Sequence, residues 1–330
     1  MRNRPILALA AALALSACSQ NPAPAAAPQQ DREAIRQQAL ALFGTLPQTM
    51  PGAEADSADK VALGKDLYHD VRLSQNDTQS CASCHGVATG GVDNQRFSKG
   101  ALPGTLGGRN APTVLNAGLQ LAQFWDGRAA DLKAQAKGPI LNPVEMASPS
   151  EQAVLDKLAQ TDYPARFAKV FADAKPALSY DNLAEAIAAF ERTLITRDRF
   201  DQFQGGKLDA LSAEEIAGLQ TFMTVGCTAC HNGALLGGNS YQKIGLVRPY
   251  ATTDKGRYEV TKNEADMFSF KVPMLRNVVL GAPYFHDGSQ ATLQDAVQAM
   301  GVHQLGVDLS AEQNAQIVAF LGSLSGSVGQ

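Results

Sequence analysis

Two pentapeptides, CASCH at 81–85 and CTACH at 227–231, constrain this 330-residue chain more than any other feature. C-x-x-C-H is the attachment signature of c-type haem. Two thiols one helical turn apart add to the haem vinyl groups, and the adjacent histidine reaches the iron from one face. Cys81, Cys84 and His85 thus serve one haem, and Cys227, Cys230 and His231 a second. A four-cysteine zinc site or a redox-active C-x-x-C pair would use the same cysteines. Neither explains a histidine directly after both motifs. At about 150 residues per domain, the length suggests two domains.

Each iron then has a sixth position. Strong ligands on both faces make an electron-transfer haem; an open face makes one that can bind peroxide. The remaining histidines are His69, His286 and His303, and the methionines after the second motif are Met267, Met274 and Met300. A thioether stabilises Fe(II), so a His/Met haem is the high-potential one. Spacing alone does not choose among the three methionines.

The fifth cysteine, Cys18, follows Leu15-Ser16-Ala17 at the end of a short apolar run, 5–17, behind Arg2 and Arg4. That run is too short to span a membrane, which takes about 20 residues, and reads as a lipoprotein-type signal peptide over 1–17. Cys18 is then the lipid-attachment residue, and the Pro/Ala-rich stretch 18–30 is an extended tether. Export implies the periplasm, and Ser19 after the lipidated cysteine favours the inner leaflet of the outer membrane. No cysteine is left over for a disulfide. Losing Arg2 and Arg4 takes the formal charge from −4 to −6, and nothing in it points to nucleic acid.

The fold class is mainly α. Amphipathic or capped helices are expected over 31–43, 62–70, 129–137, 148–160, 181–196, 211–231 and 310–324, with helical periodicity also around Trp125. Short strands are expected near 241–247 and 257–260. The charged, Gly-containing stretch 197–210 marks the boundary between domains 31–200 and 201–330. A helix leading into C-x-x-C-H occurs in both, a coarse internal repeat.

From about residue 55 to 325 the chain resembles the bacterial di-haem cytochrome c peroxidases, a family that includes the MauG-type enzymes. The strings that carry the likeness include LGKDLYHDVRLS, GGVDN, GRNAPTVLNA, QFWDGRAADLKAQAKGP, NPVEM, FKVPMLRNV and APYFHDG. The resemblance implies two cytochrome c-type haem domains. In the first, a low-potential peroxidatic haem sits on His85. In the second, a high-potential electron-transfer haem sits on His231 with Met300 opposite. MauG-type enzymes carry a tyrosine there, so Met300 favours a peroxidase over an oxidase acting on a protein. The likeness also implies roles for Trp125 as conduit between haems, for Glu145 as acid–base, and for Gln135 as a hydrogen-bond donor in the same pocket. It places one Ca2+ on Asn110 and the backbone carbonyls of Gly281 and Pro283, oxygen donors of the kind calcium takes. His286 falls near the second haem; His69 and His303 read as surface or packing residues.

Many family members carry a histidine in the loop after the first motif, where it closes the peroxidatic iron until the other haem is reduced. Here the matching stretch, NQRFSKGALPGTLGG, has none, and the position falls near Leu102. The expectation is a first haem open at rest, with Lys99 the competing ligand. The activity implied is reduction of H2O2 to water with electrons from a small cytochrome c or cupredoxin, by a homodimer. A non-enzymatic di-haem electron carrier and a MauG-like protein-modifying oxidase are the alternatives.

Overall fold

The computed structural model describes residues 29–329. The leader, Cys18 and tether residues 18–28 lie outside the described residues. The fold is mainly α, with two two-stranded ribbons, Thr196–Arg197 on Ser327–Val328 and Tyr241–Lys243 on Ser269–Lys271. Among the described residues no helix is long and apolar enough to cross a membrane.

Two hydrophobic cores are built on the same device. In the first, helix Ala58–His69 crosses Tyr180–Glu191, and a Cβ at Gly64 would lie 1.7 Å from the Ala186 carbonyl oxygen. In the second, Ala213–Thr224 crosses Ala311–Gly322, and a Cβ at Gly218 would lie 1.9 Å from the Gln316 oxygen. Only glycine permits backbones so close. Helices Leu132–Leu141, Glu151–Ala159 and Tyr163–Val170 complete the first core, and Leu293–Met300 flanks the second. Helix starts follow the serines in the sequence. The hydroxyls of Ser150, Ser212 and Ser310 each accept the amide three residues on, at 3.1 Å, satisfying donors that a helix end leaves orphaned.

Three expectations are corrected. The helix Gln29–Phe43 begins inside the expected tether and packs on the second core, not with the 31–200 unit. Its apolar stripe Ile35, Ala39 and Phe43 is buried there, Phe43 edge-on to Phe200 at 5.7 Å. Arg32 fixes it by donating to the carbonyls of Leu208 and Leu211 at 2.9 and 2.7 Å. Trp125 stands in a turn rather than a helix, because Phe124 is at φ +66° and Gln123 bridges to Ala129. Residues 258–261 form one helical turn instead of a strand, started by the Asp254 carboxylate accepting the Gly256 amide at 2.9 Å. The β-branched Val260 and Thr261 give way to that local turn.

The halves repeat more closely than the helix-plus-motif element suggested. Asn116 and Asn277, at φ +59° and +62°, open the 3-10 turns Ala117–Leu119 and Val278–Leu280. Phe124 and Phe285 follow, at φ +66° and +72°. Asp131 and Thr292 then cap Leu132–Leu141 and Leu293–Met300. Every pair is 161 positions apart. The amides of Asn116 and Asn277 both donate to Thr196 Oγ1 at 2.9 Å, and Thr196 is fully buried. The halves meet at that hydroxyl.

Candidate active site

Cys81–Cys84 form a single helical turn, and the His85 amide donates to the Cys81 carbonyl at 2.9 Å. His231 repeats this bond to Cys227 at 2.9 Å after the 3-10 turn Cys227–Ala229. His85 Nδ1 lies 3.2 Å from the Gly91 carbonyl, and His231 Nδ1 lies 3.0 Å from that of Leu236. An imidazole that gives its Nδ1 proton to a carbonyl presents Nε2 as a lone pair for a metal. Burial holds both rings below the ordinary histidine pKa, which favours the neutral form that a ligand needs.

Burial pushes all four thiols up, Cys227 to about 12, and each pair stands one turn before its own histidine, the arrangement covalent haem needs. Cys81 packs on the first core and Cys227 on the second, so the two pairs form no common cluster. Among the described residues no group of three or more His, Cys, Asp or Glu side chains could hold a metal ion.

One cavity holds the second site. Cys227, Cys230, His231, Trp125, Met274 and Met300 all line it; Met267 does not. Met274 belongs to the histidine's own side. It follows Pro273, whose carbonyl lies against the His231 ring, and it packs on Leu46 and Leu235. Met300 ends its helix where a π turn, Gly301–Leu305, re-aims the chain, a distortion common at functional sites. Met300 is the remaining methionine on the wall of this cavity.

The repeat carries this geometry to the first site. Pro112 stands at the place of Pro273, and its carbonyl lies against His85. The position matching Met300 is Pro139, inside helix Leu132–Leu141. Proline has no side-chain ligand atom and no amide, so the helix also lacks its bond to the Gln135 carbonyl. Gln135 and Asn142 share that helix face by 3.6-residue spacing. Asn142 donates to Glu145 Oε1 at 3.0 Å. Burial pushes the Glu145 carboxyl up, against the opposing charge of Arg128, and its charge reaches Cys84.

The loop without histidine closes over Glu145. Gly107 donates to the Ser98 carbonyl at 2.8 Å and Gly100 to Thr105 at 3.0 Å, making a tight hairpin. The Ala101 amide donates to the Glu145 carbonyl at 2.6 Å, and Asn76 donates to the Ala101 carbonyl at 2.6 Å. Leu102 is half-buried in the turn; Lys99 is exposed.

Trp125 and His286 are repeat partners and touch edge to face, 6.3 Å between ring centres. Their carbonyls exchange bonds across the halves. Asn110 donates its amide to His286 at 2.8 Å, and Lys271 to Trp125 at 2.7 Å. Trp125 Nε1 also donates to the Asn110 carbonyl at 2.8 Å, so the indole is held at both its backbone and its ring on the cavity wall. His286 is buried, stacked on Phe270 at 4.1 Å. Asn110, Gly281 and Pro283 line one cavity. Asn94 takes the neighbouring carbonyls of Leu280 and Ala282 at 2.8 and 3.1 Å; among the described residues no donor takes those of Gly281 and Pro283. His69 is exposed, with Nδ1 on the Lys65 carbonyl at 2.8 Å; His303 packs on Tyr250.

Sequence reasoning missed Tyr68, Glu191 and Lys271. The Tyr68 hydroxyl donates to the His85 carbonyl at 2.6 Å. The repeated F-x-D-G at 124–127 and 285–288 was the available signal for the paired halves. Glu191 is 4% exposed beside Tyr68 and Cys81, and its Oε2 has no protein partner. Arg192 turns away to Asp56 and Glu185 at 2.5 and 2.6 Å. Burial raises the Glu191 carboxyl from 4.5 to about 8. The unfolded chain therefore releases this proton at lower pH than the native one, and native stability falls as pH rises between these values, by up to ~1.4 kcal/mol per pH unit. Glu191→Gln is expected to flatten that slope in urea midpoints taken from pH 5 to 8; an unchanged slope refutes the assignment.

The family model described as di-haem cytochrome c peroxidase matches residues 58–209. The cytochrome c551 peroxidase of Nitrosomonas europaea is 47% identical over 282 residues, 84% of this chain and 84% of the relative. That of Pseudomonas aeruginosa is 46% identical over 310 residues, covering 91% and 89%. The crystal structure of a MauG-like protein associated with microbial copper homeostasis superposes with a TM-score of 0.76 at 26% identity, covering 85% of this chain and 93% of that one.

Proposed function

Because the chain belongs to the di-haem cytochrome c peroxidase family, we propose that it reduces H2O2 to two waters, with two electrons and two protons, at a first site that is open in the resting enzyme. The observation that carries the open site is Pro139, standing where the second half has Met300. The exposed Lys99 and the hairpin pinned to Glu145 also support it. A haem held by Cys81, Cys84 and His85 would supply the redox iron for cleaving the O–O bond. Glu145 takes a proton from one peroxide oxygen and returns it to the leaving oxygen. Gln135 donates a hydrogen bond in the same pocket. Trp125 relays electrons between the sites, and Met300 makes the second site the high-potential one.

Electrons arrive singly from a small cytochrome c or cupredoxin at the Met300 side. Exposed Leu246, Val247 and Val307 beside the Gly301–Leu305 turn support that entry point. One Ca2+ on Asn110 and the carbonyls of Gly281 and Pro283 ties the halves together. In this reading the protein is a homodimer, exported to the periplasm and held to the outer membrane by lipid on Cys18.

The test is EPR of the oxidised protein as isolated, followed by turnover with H2O2 and no prior reduction. A high-spin ferric signal with immediate turnover is expected. Two low-spin signals with no turnover, even after one-electron reduction, would make it an electron carrier instead.

A further inference from the structure

Lys271 sits in the strand Ser269–Lys271, 6% exposed, on the wall of the cavity that contains His231, Cys227 and Cys230. Its Nζ donates to Gln120 Oε1, a neutral acceptor. An ammonium has three N–H donors, and no salt bridge among the described residues involves Lys271. The nearby carboxylates are committed elsewhere: Asp126 and Asp254 both hold Arg109 at 2.6 Å, and Asp126 also holds Arg128 at 3.0 Å. Arg276, the other cation of this cavity wall, is saturated by Asp198 and Asp201 at 2.5 and 2.8 Å. A buried cation without a counter-charge costs several kcal/mol, and here burial drags the amine down to about 8. An anion beside it would offset that cost.

We propose that Lys271 is the anchor for a carboxylate of the haem held by His231, with Gln120 orienting its ammonium. This rests on the haem reading of the cavity and extends it to a residue with no iron or thioether bond. The backbone of Lys271 donates to the Trp125 carbonyl, so the residue that would hold the carboxylate is also tied to the backbone of the indole. A positive charge held there would disfavour the ferric state and raise the potential of the second haem.

The experiment is a spectropotentiometric titration of the holoenzyme and of its Lys271→Met, Lys271→Gln and Lys271→Arg variants, with haem content measured by pyridine haemochrome. Both neutral variants should keep two covalent haems. Their reduced-to-oxidised ratio at the His231 haem, at fixed ambient potential, should fall on the order of ten-fold. That is the effect of one charge about 12 Å away at an effective dielectric of about 20. Lys271→Arg should restore most of it. Neutral variants that titrate with the parent overturn the proposal. A parent chain without two covalent haems overturns the haem reading itself.

Discussion

Glu145→Gln is expected to lower peroxide turnover by about 10²–10⁴-fold, the range that a positioned acid–base group contributes. The amide is nearly isosteric, and its carbonyl can still accept the Asn142 hydrogen bond made to Oε1. The loop bond from Ala101 goes to the Glu145 backbone, so the hairpin over the site is untouched. Only proton transfer is removed. The parent enzyme needs the carboxylate to accept the first proton. Since burial raises its pKa, activity should fall on the acid side at a higher pH than an ordinary glutamate would give. That acid limb should vanish in Glu145→Gln. Steady-state kcat across pH, with the resting spectrum as a control on folding, measures both. A variant that keeps kcat within three-fold would remove Glu145 from the chemistry.

Arg276→Leu is expected to destabilise the native state by about 3–5 kcal/mol, the usual cost of stripping one partner from a buried ion pair. Arg276 is 1% exposed. It donates to the Ala234 carbonyl at 2.7 Å and to the carboxylates of Asp198 and Asp201. Asp198 in turn caps the helix Arg199–Gln204 by accepting the Asp201 amide at 2.9 Å. Removal of the guanidinium strands two carboxylates where the chain passes from the first core to the second. Lys should rescue only part of the loss, because an ammonium cannot make the forked contacts of a guanidinium. Combining Arg276→Leu with Asp198→Asn and Asp201→Asn should recover much of it. Urea midpoints of the four proteins measure this, and a change below 1 kcal/mol in Arg276→Leu would mean that water reaches the acids.

Most helix positions were legible because their signals are local. Ser150, Ser212 and Ser310 announce their helices by a hydroxyl three residues from the amide it caps. Legibility failed where a distant segment decides. The helix Gln29–Phe43 displays a stripe, but nothing in the stripe says which core will bury it; Phe200, Phe222 and the carbonyls of Leu208 and Leu211 do. Trp125 carries an apolar spacing that suits a helix, yet the turn at Phe124 and the Lys271 bond on its carbonyl hold it otherwise. The site residues divide the same way. Asn142 and Glu145 lie three residues apart just past one helix, so their hydrogen bond is a local one that short spacing allows.

By itself the sequence determined the chemistry contained in short spans: two haem-attachment motifs, a mainly α fold, the helix caps, and a loop without its histidine. Thioether attachment and axial ligation both come from five consecutive residues, so no folding is needed to read them. Tertiary structure alone decided that Met274 packs on Leu46 and Leu235 beside the His231 ring, leaving Met300 on the wall of the same cavity. It also decided that Trp125 and His286 meet, and that Lys271 is buried without an acid. Each of these joins residues that the chain keeps far apart. Local propensity carries no information about such pairs, because only packing of the two cores against each other brings them within reach.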